Sequence, residues 1–246
     1  MNLSSVIEMS PKNLALRNPF VITTPYSGTG IPDDLKPFIN PEYHYTQPDV
    51  DWLLHRFWEF STDLGATVVF PFLSQYVIDL TADPKDVGSD QKLLLTKTST
   101  QKAIYSQNLD FAAEKIARVE LYYAPFHRRL TKVLEQVKNH CGFAVLVESY
   151  LLKNSSEIIM AEPVSLTDTA QRIWNALQNC QAGVKLKMMP HASTLGRIYQ
   201  EPNPAIHSCQ IFIGDQLFLR HGQFLDREIA KTHQQSLHKL FSAFSG

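Results

Sequence analysis

Short runs of consecutive apolar residues alternate along this chain with stretches whose apolar positions recur at helical spacing. That alternation predicts an α/β layer architecture. Phe20-Val-Ile-Thr-Thr24 reads as a first strand, closed by Pro25. The segment Pro25–Pro32 is rich in Gly and Pro, which predicts a loop at the strand end. Val50, Leu53, Leu54, Phe57, Trp58 and Leu64 fall at helical spacings, and Gly65 stands where such a helix would stop. Ala66–Phe70 predicts a second buried strand, with Tyr76–Leu80 a shorter third run. The polar stretch from Thr81 to about Asn108 predicts a long excursion or lid, a kind of segment that is often functional. A helical region follows from about Leu109 to Asn139, with Pro125 expected to end or kink its first half. Cys141-Gly142 closes it, and Phe143–Glu148 is the clearest core strand. A helix over Thr167–Cys180 and strands over Val184–Met188 and Ile206–Ile213 come next. A C-terminal helix is expected to turn Ile229, Leu237, Leu240 and Phe244 inward. No internal repeat, low-complexity tract or long linker interrupts the pattern, so the expectation is a single α/β domain over residues 1–246, its central sheet mainly parallel or mixed and flanked by helices.

Composition narrows the partners. The 23 Lys and Arg residues balance 24 Asp and Glu, so no basic footprint points to nucleic acid. No apolar run approaches the ~20 residues of a membrane span, and the opening Met1–Ala15 lacks the basic and apolar regions of a secretory signal. Cys141, Cys180 and Cys209 are odd in number and far apart, so neither a disulfide framework nor a Cys-rich zinc site is expected. Small buried thiols in a reducing cytoplasm are the simpler reading. Nothing in the pattern bears on oligomeric state.

In open α/β sheets, ligands bind in the crevice at the carboxyl ends of the strands. Three places meet that rule. Tyr26-Ser27-Gly28 follows the first strand, where Gly28 would admit a ligand to the backbone and Ser27 would cap an anion, unless the segment is an ordinary turn. Glu148-Ser149-Tyr150 ends the most apolar strand. His207–Gln210 lies within a late strand, where a lone His is more often a hydrogen-bonded structural residue than a ligand. Arg128-Arg129, just after His127, would clamp an anion or form a solvated helix face. Walker, G-x-G-x-x-G and G-x-S-x-G patterns are missing, which leaves phosphate-loop, dinucleotide and serine-hydrolase chemistry without support.

Taken in order, several segments resemble the N-formylglutamate amidohydrolases, zinc-dependent amide hydrolases with a carboxypeptidase-like α/β fold. Thr24–Pro32 is similar to the family's P-H-S-G…I-P opening. Asp49-Val-Asp-Trp52, Leu64–Val68 and Ser74–Leu80 are similar to its D-T-D helix, G-A-T strand and S-R-x-V-x-D-L-N-R run. Tyr122-Tyr-Ala-Pro-Phe-His127 resembles Y-x-P-Y-H, Val145–Tyr150 stands where the family has D-x-H-S, and Ile206–Phe212 resembles V-H-A-x-Q-x-E. The resemblance covers most of residues 20–220 and implies the zinc hydrolase fold.

The departures fall on the chemistry. Tyr26 replaces the metal-binding His of the first motif, Tyr150 the His of D-x-H-S, and Phe212 the acidic residue suited to act as general base. Glu148 stands for the Asp, while Gln75 and Ala82 stand for two arginines suited to substrate carboxylates. Ser27, Gly28, Asp79, His127, His207 and Gln210 remain. Zinc takes about four nitrogen, thiolate or carboxylate ligands, and a neutral phenol with a pKa of ~10 replaces imidazole poorly. The expected reading is therefore a catalytically impaired relative without a metal, keeping a small-molecule cleft lined by Tyr26, Tyr150 and their neighbours. A second reading is an active amide hydrolase with a rebuilt zinc site, using Asp49 or Asp51, Glu148 and one of His44, His127 or His207. A third is a non-enzymatic interaction protein whose surface, including residues 81–108, matters more than the cleft.

Overall fold

The computed structural model describes residues 6–13, 15–16, 18–85, 93–106, 109–161, 184–187, 194–200, 202–221 and 224–242. Its centre is a seven-stranded mixed sheet. The strands are β1 (Val6–Met9), β2 (Phe20–Thr23), β3 (Thr67–Pro71), β4 (Ala144–Leu152), β5 (Ile158–Ala161), β6 (Val184–Lys187) and β7 (Ile206–Gly214). They lie in the order β1-β3-β2-β4-β7-β5-β6. The four central strands β3, β2, β4 and β7 run parallel, β1 is antiparallel to β3, and β5 is antiparallel to β7. Parallel strands are covered on both faces, so they read as unbroken apolar runs. That is why Phe-Val-Ile-Thr, Thr-Val-Val-Phe-Pro and Ala-Val-Leu-Val were legible as strands; all their residues are buried.

Side-chain parity divides the core in two. Phe20, Ile22, Val145 and Val147 face Leu54, Phe57, Trp58, Phe218 and Phe241. Val21, Ala144 and Leu146 face Phe126, Leu130, Leu134, Leu195 and Tyr199. The first layer is built from α1 (Leu54–Phe57), the 3-10 turns Trp58–Leu64 and the C-terminal helix Arg227–Ser242. The second comes from the helices Ala124–Cys141 and Thr194–Gln200. These flanking layers fit the expected mixed α/β class.

Several details differ from the sequence pattern. Tyr76–Leu80 joins no strand, although every residue in it is buried. Its backbone is held by turns and distant carbonyls, with Val77 N–H on the Ser74 oxygen at 2.9 Å and Asp79 N–H on the Leu93 oxygen at 2.8 Å. It is apolar because it lies under other chain, not because it pairs. The described part of the 81–108 stretch is packed as well: Ile104 sits with Ile39, Tyr43 and Tyr76 in a third apolar cluster. Pro125 does not end the long helix. Helix α2 (Phe111–Arg118) runs into a π turn at Val119–Tyr123 and then into α3 (Ala124–Cys141). Proline lacks an N–H and its ring clashes with the carbonyl four residues back, so widening the turn before it accommodates both defects. Leu237 faces inward as expected, but Ile229 is 36% exposed, and Ala230 and Phe241 take inward positions. Strands β1 and β5 and helix α4 (Thr194–Gln200) were not anticipated. The expected helix over 167–180, Cys180 and Phe244 fall outside the described residues, as does the Leu240 side chain.

Candidate functional site

Strands β2 and β4 pair in parallel with Thr23 opposite Glu148, so both chains leave the sheet side by side at their carboxyl ends. Tyr26 comes three residues after Thr23, and Tyr150 two after Glu148. Glu148 and Tyr150 share the parity of Leu146, so they stand on the face covered by α3 and α4. Ser149 points to the other face, where its hydroxyl accepts the Trp58 indole N–H at 2.8 Å. The result is a close pair of phenol rings, Tyr26 and Tyr150, with centroids 5.6 Å apart. Phe212, the register partner of Tyr150 on β7, stacks on it at 5.7 Å.

Each phenol donates to its own carboxylate. The Tyr26 hydroxyl reaches Asp79 Oδ2 at 3.1 Å and lies 2.9 Å from the Thr81 hydroxyl. The Tyr150 hydroxyl donates to Glu148 Oε2 at 3.0 Å. Burial, joined by the nearby carboxylates, pushes both phenols well above the usual tyrosine range, so they stay neutral donors. Burial also raises Asp79, against the hydrogen bonds from Thr81 and Tyr26 that favour its charge. Glu148 is fully buried and fits beneath Gly196 of α4, where an added Cβ would come within 2.8 Å of its Oε1 and 2.5 Å of Ser208 Oγ. Only glycine leaves that space open.

The two aspartates of Asp49-Val-Asp51 part company. Asp51 is buried beside this cluster; its N–H donates to the Tyr26 carbonyl at 2.9 Å. Burial pushes its carboxyl up to about 7, although the Leu151 N–H and Lys153 draw it down. Its Oδ2 has no hydrogen-bond partner. Leu53, two residues on, takes a left-handed φ of 56°, so that α1 can begin at once behind Asp51. Asp49 turns to the third apolar cluster, where it accepts from Tyr76 Oη at 2.8 Å and from the Ser99 N–H and hydroxyl. Gln75 donates to the Asp49 carbonyl at 2.5 Å.

Other candidates are structural in this geometry. The Ser27 hydroxyl donates to the Thr24 carbonyl at 2.9 Å, and a Cβ on Gly28 would strike the Leu73 carbonyl at 2.2 Å. Gly28 thus admits the neighbouring backbone. His127 stacks on Tyr123 at 3.9 Å, with Nδ1 2.6 Å from the Tyr199 hydroxyl and Nε2 3.0 Å from the Leu80 carbonyl. Burial lowers its pKa to about 4. His207 lies opposite Val145, three residues before the Glu148–Gln210 pair and so away from the crevice. His44 lies 3.0 Å from the Lys36 carbonyl. Arg129 pairs with Glu8 at 2.5 Å, not with Arg128 around an anion. The buried Ala82 uses its carbonyl to accept from the Tyr123 hydroxyl.

The family profile described as N-formylglutamate amidohydrolase matches residues 18–150, which takes in Tyr26, both aspartates, Asp79, His127 and the end of β4. The chain belongs to the N-formylglutamate amidohydrolase family. It is similar to an N-formylglutamate deformylase of Pseudomonas putida, 26% identical over 143 residues, covering 56% of this chain and 53% of that protein. An N-formylglutamate deformylase of Pseudomonas aeruginosa is 25% identical over 148 residues, with the same coverage. The chain therefore spans about half the length of the curated relatives it matches. Among solved structures, an N-formylglutamate amidohydrolase from Ralstonia eutropha JMP134 superposes with a TM-score of 0.75 at 18% identity, covering 98% of both chains. A gene product of Agrobacterium tumefaciens gives 0.72 at 18% identity, covering 99% of this chain and 94% of that one. These two likenesses concern the fold.

Against what the family resemblance implies, the donor set here is unusual. The resemblance implies zinc between the ends of β2 and β4, yet what meets there is two phenols and a phenyl ring. Among the described residues, no three His, Cys, Asp or Glu side chains gather where they could hold a metal. The residues present do not fit zinc, because neither phenol is an anionic ligand and the carboxylates of Asp79 and Glu148 are already engaged by those phenols. Thr81, Gly196 and Tyr199 were missed by the sequence reading. Thr81 directly follows the Asp79-Leu80 motif and could have been taken with it; Gly196 and Tyr199 lie on a short helix whose sequence carries little periodic signal.

Proposed function

We propose that this chain is a catalytically impaired member of its family that keeps the crevice beyond β2 and β4 as a small-molecule site and holds no zinc there. One observation carries the reading: each phenol at an expected imidazole position is hydrogen-bonded to its own buried carboxylate, with the two rings in contact. Without zinc, an attacking water keeps a pKa near ~15.7 instead of ~7. With Phe212 at the base position, the proton transfer usually worth about 10²–10⁴-fold is also missing. The chemistry left is binding: neutral hydroxyls, aromatic walls and the Asp51 carboxyl with its unpartnered oxygen. A rebuilt zinc hydrolase is less well supported, because His44, His127 and His207 are dispersed and both nitrogens of His127 are engaged.

Restoration tests the reading. Wild-type protein is expected to show no formyl-amide hydrolysis above background, with or without added zinc, and no stoichiometric zinc by elemental analysis. The double variant Tyr26→His with Tyr150→His is expected to gain zinc first; adding Phe212→Glu then supplies a base. Turnover of N-formylglutamate by the wild type overturns the proposal. A folded double variant that takes up no zinc overturns the assignment of Tyr26 and Tyr150 to the ligand positions.

A further inference from the structure

The loop that carries Asp79 and Thr81 continues outward to Lys85. There it borders a cavity about 960 Å³ in volume, lined by residues of α3 and α4, His127 among them. Four exposed cations line it: Lys85, Arg128, Lys132 and Arg197. None has a carboxylate partner among the described residues, and Asp83 is the one acid among the described lining residues. Neighbouring cations behave differently: Arg118 pairs with Glu114, Arg129 with Glu8 and Lys138 with Glu135. Arg128 and Lys132 also stand four residues apart on one helix, an arrangement of like charges that weakens a helix unless something neutralises it. Between the cations, Val119, Tyr123 and Ile198 supply an apolar wall.

We propose that this cavity binds a small organic polyanion with an apolar or aromatic body. Among the described lining residues, four cations against one carboxylate leave a charge near +3, which a ligand of two or three negative charges would balance. Two guanidiniums offer forked donors suited to oxyanions, and the two ammonium groups add point charge. The volume lies within the range of about 300–1,000 Å³ typical of small-molecule sites. The proposal uses none of the crevice side chains except His127, whose ring is a wall here and whose nitrogens are already bonded.

Calorimetric titration of the full chain with ADP, at fixed ionic strength, tests it; adenosine and inorganic phosphate are the comparators. ADP is expected to bind more tightly than either comparator, since each supplies half of the recognition. Arg128→Glu with Arg197→Glu is expected to weaken ADP by about a hundredfold or more, as the loss of two charge-assisted contacts implies. Asp83→Asn is expected to tighten it. No ADP binding up to about 1 mM overturns the proposal. So does unchanged affinity in the folded double variant. Should that variant fail to fold, unchanged ADP affinity in Arg197→Ala gives the same negative answer.

Discussion

The two ends of β2 and β4 are equally buried and chemically opposite. At the apolar end, Phe20, Ile22, Val145 and Val147 meet Phe57, Trp58 and Phe241, and the one indole N–H among these side chains is accepted by Ser149. At the carboxyl end, Glu148 and Asp79 are just as hidden from water but accept from the Tyr150 and Tyr26 hydroxyls, with Asp51 buried beside them. Apolar burial is non-directional and tolerates many sequences. Buried carboxylates require particular donors at particular distances, or they must keep their protons. One end therefore stabilises through volume, and the other through partners.

The largest expected difference is at the apolar end. Phe57→Ala removes a fully buried ring that touches Trp58, Phe60 and Phe218, and should cost about 3–5 kcal/mol in urea unfolding. A loss below about 1 kcal/mol would mean that this layer is not the core.

Acidity separates the ends next. His127, with a pKa near 4 instead of 6.5, stays neutral in the fold while the unfolded chain takes up a proton. Its contribution is complete above about pH 6.5 and is lost as pH falls toward 4. Asp51, pushed up to about 7 from 3.8, holds a proton that the unfolded chain releases, so it costs stability as pH rises through that window. Unfolding measured across this range should show the advantage of wild type over His127→Gln growing by up to about 3 kcal/mol between pH 4 and 6.5. The advantage over Asp51→Asn should shrink over the same interval. Parallel profiles for wild type and either variant would remove that residue from the account.

Two adjacent residues sharpen the comparison further. Tyr150→Phe removes the donor from a fully buried Glu148 oxygen and should cost about 1–3 kcal/mol, with little change in ring packing. Ser149→Ala leaves the Trp58 indole without its acceptor on the other face and should cost about 1 kcal/mol. Chemical denaturation of both variants checks the order. If Ser149→Ala costs more, the polar end is not where the directional interactions matter most.

The same division explains what could be read in advance. β2, β3 and the first half of β4 are apolar on both faces, and a run of that kind identifies itself. β1 is half-buried at the sheet edge and generates no comparable pattern, whereas β5, Ile-Ile-Met-Ala, is as short and as buried as β2 and was overlooked. Tyr76–Leu80 carries the pattern without the strand, since apolar content reports burial and not pairing. The motif order placed Tyr26, Glu148, Tyr150 and Phe212 together, because motifs fix which strand ends carry them. Which hydrogen bonds close the cluster was not legible: Thr81 with Tyr26 depends on two loops meeting, and Tyr199 with His127 on two helices meeting. Ser27 and Gly28 looked like ligand groups because turn chemistry and ligand chemistry use the same residue types.

The π turn at Val119–Tyr123 has a geometric consequence. A regular helix advances about 100° per residue, so one extra residue in a turn rotates everything downstream relative to everything upstream. The apolar stripe of α2 and that of α3 are thereby phased independently: Ile116 and Leu121 face outward, while Tyr123, Phe126 and Leu130 face the sheet. Deleting a single residue from the turn would restore an unbroken ladder and swing Tyr123 and His127 about a quarter of the way around the axis. The polar end of the sheet is thus kept in phase by a miscount in a helix.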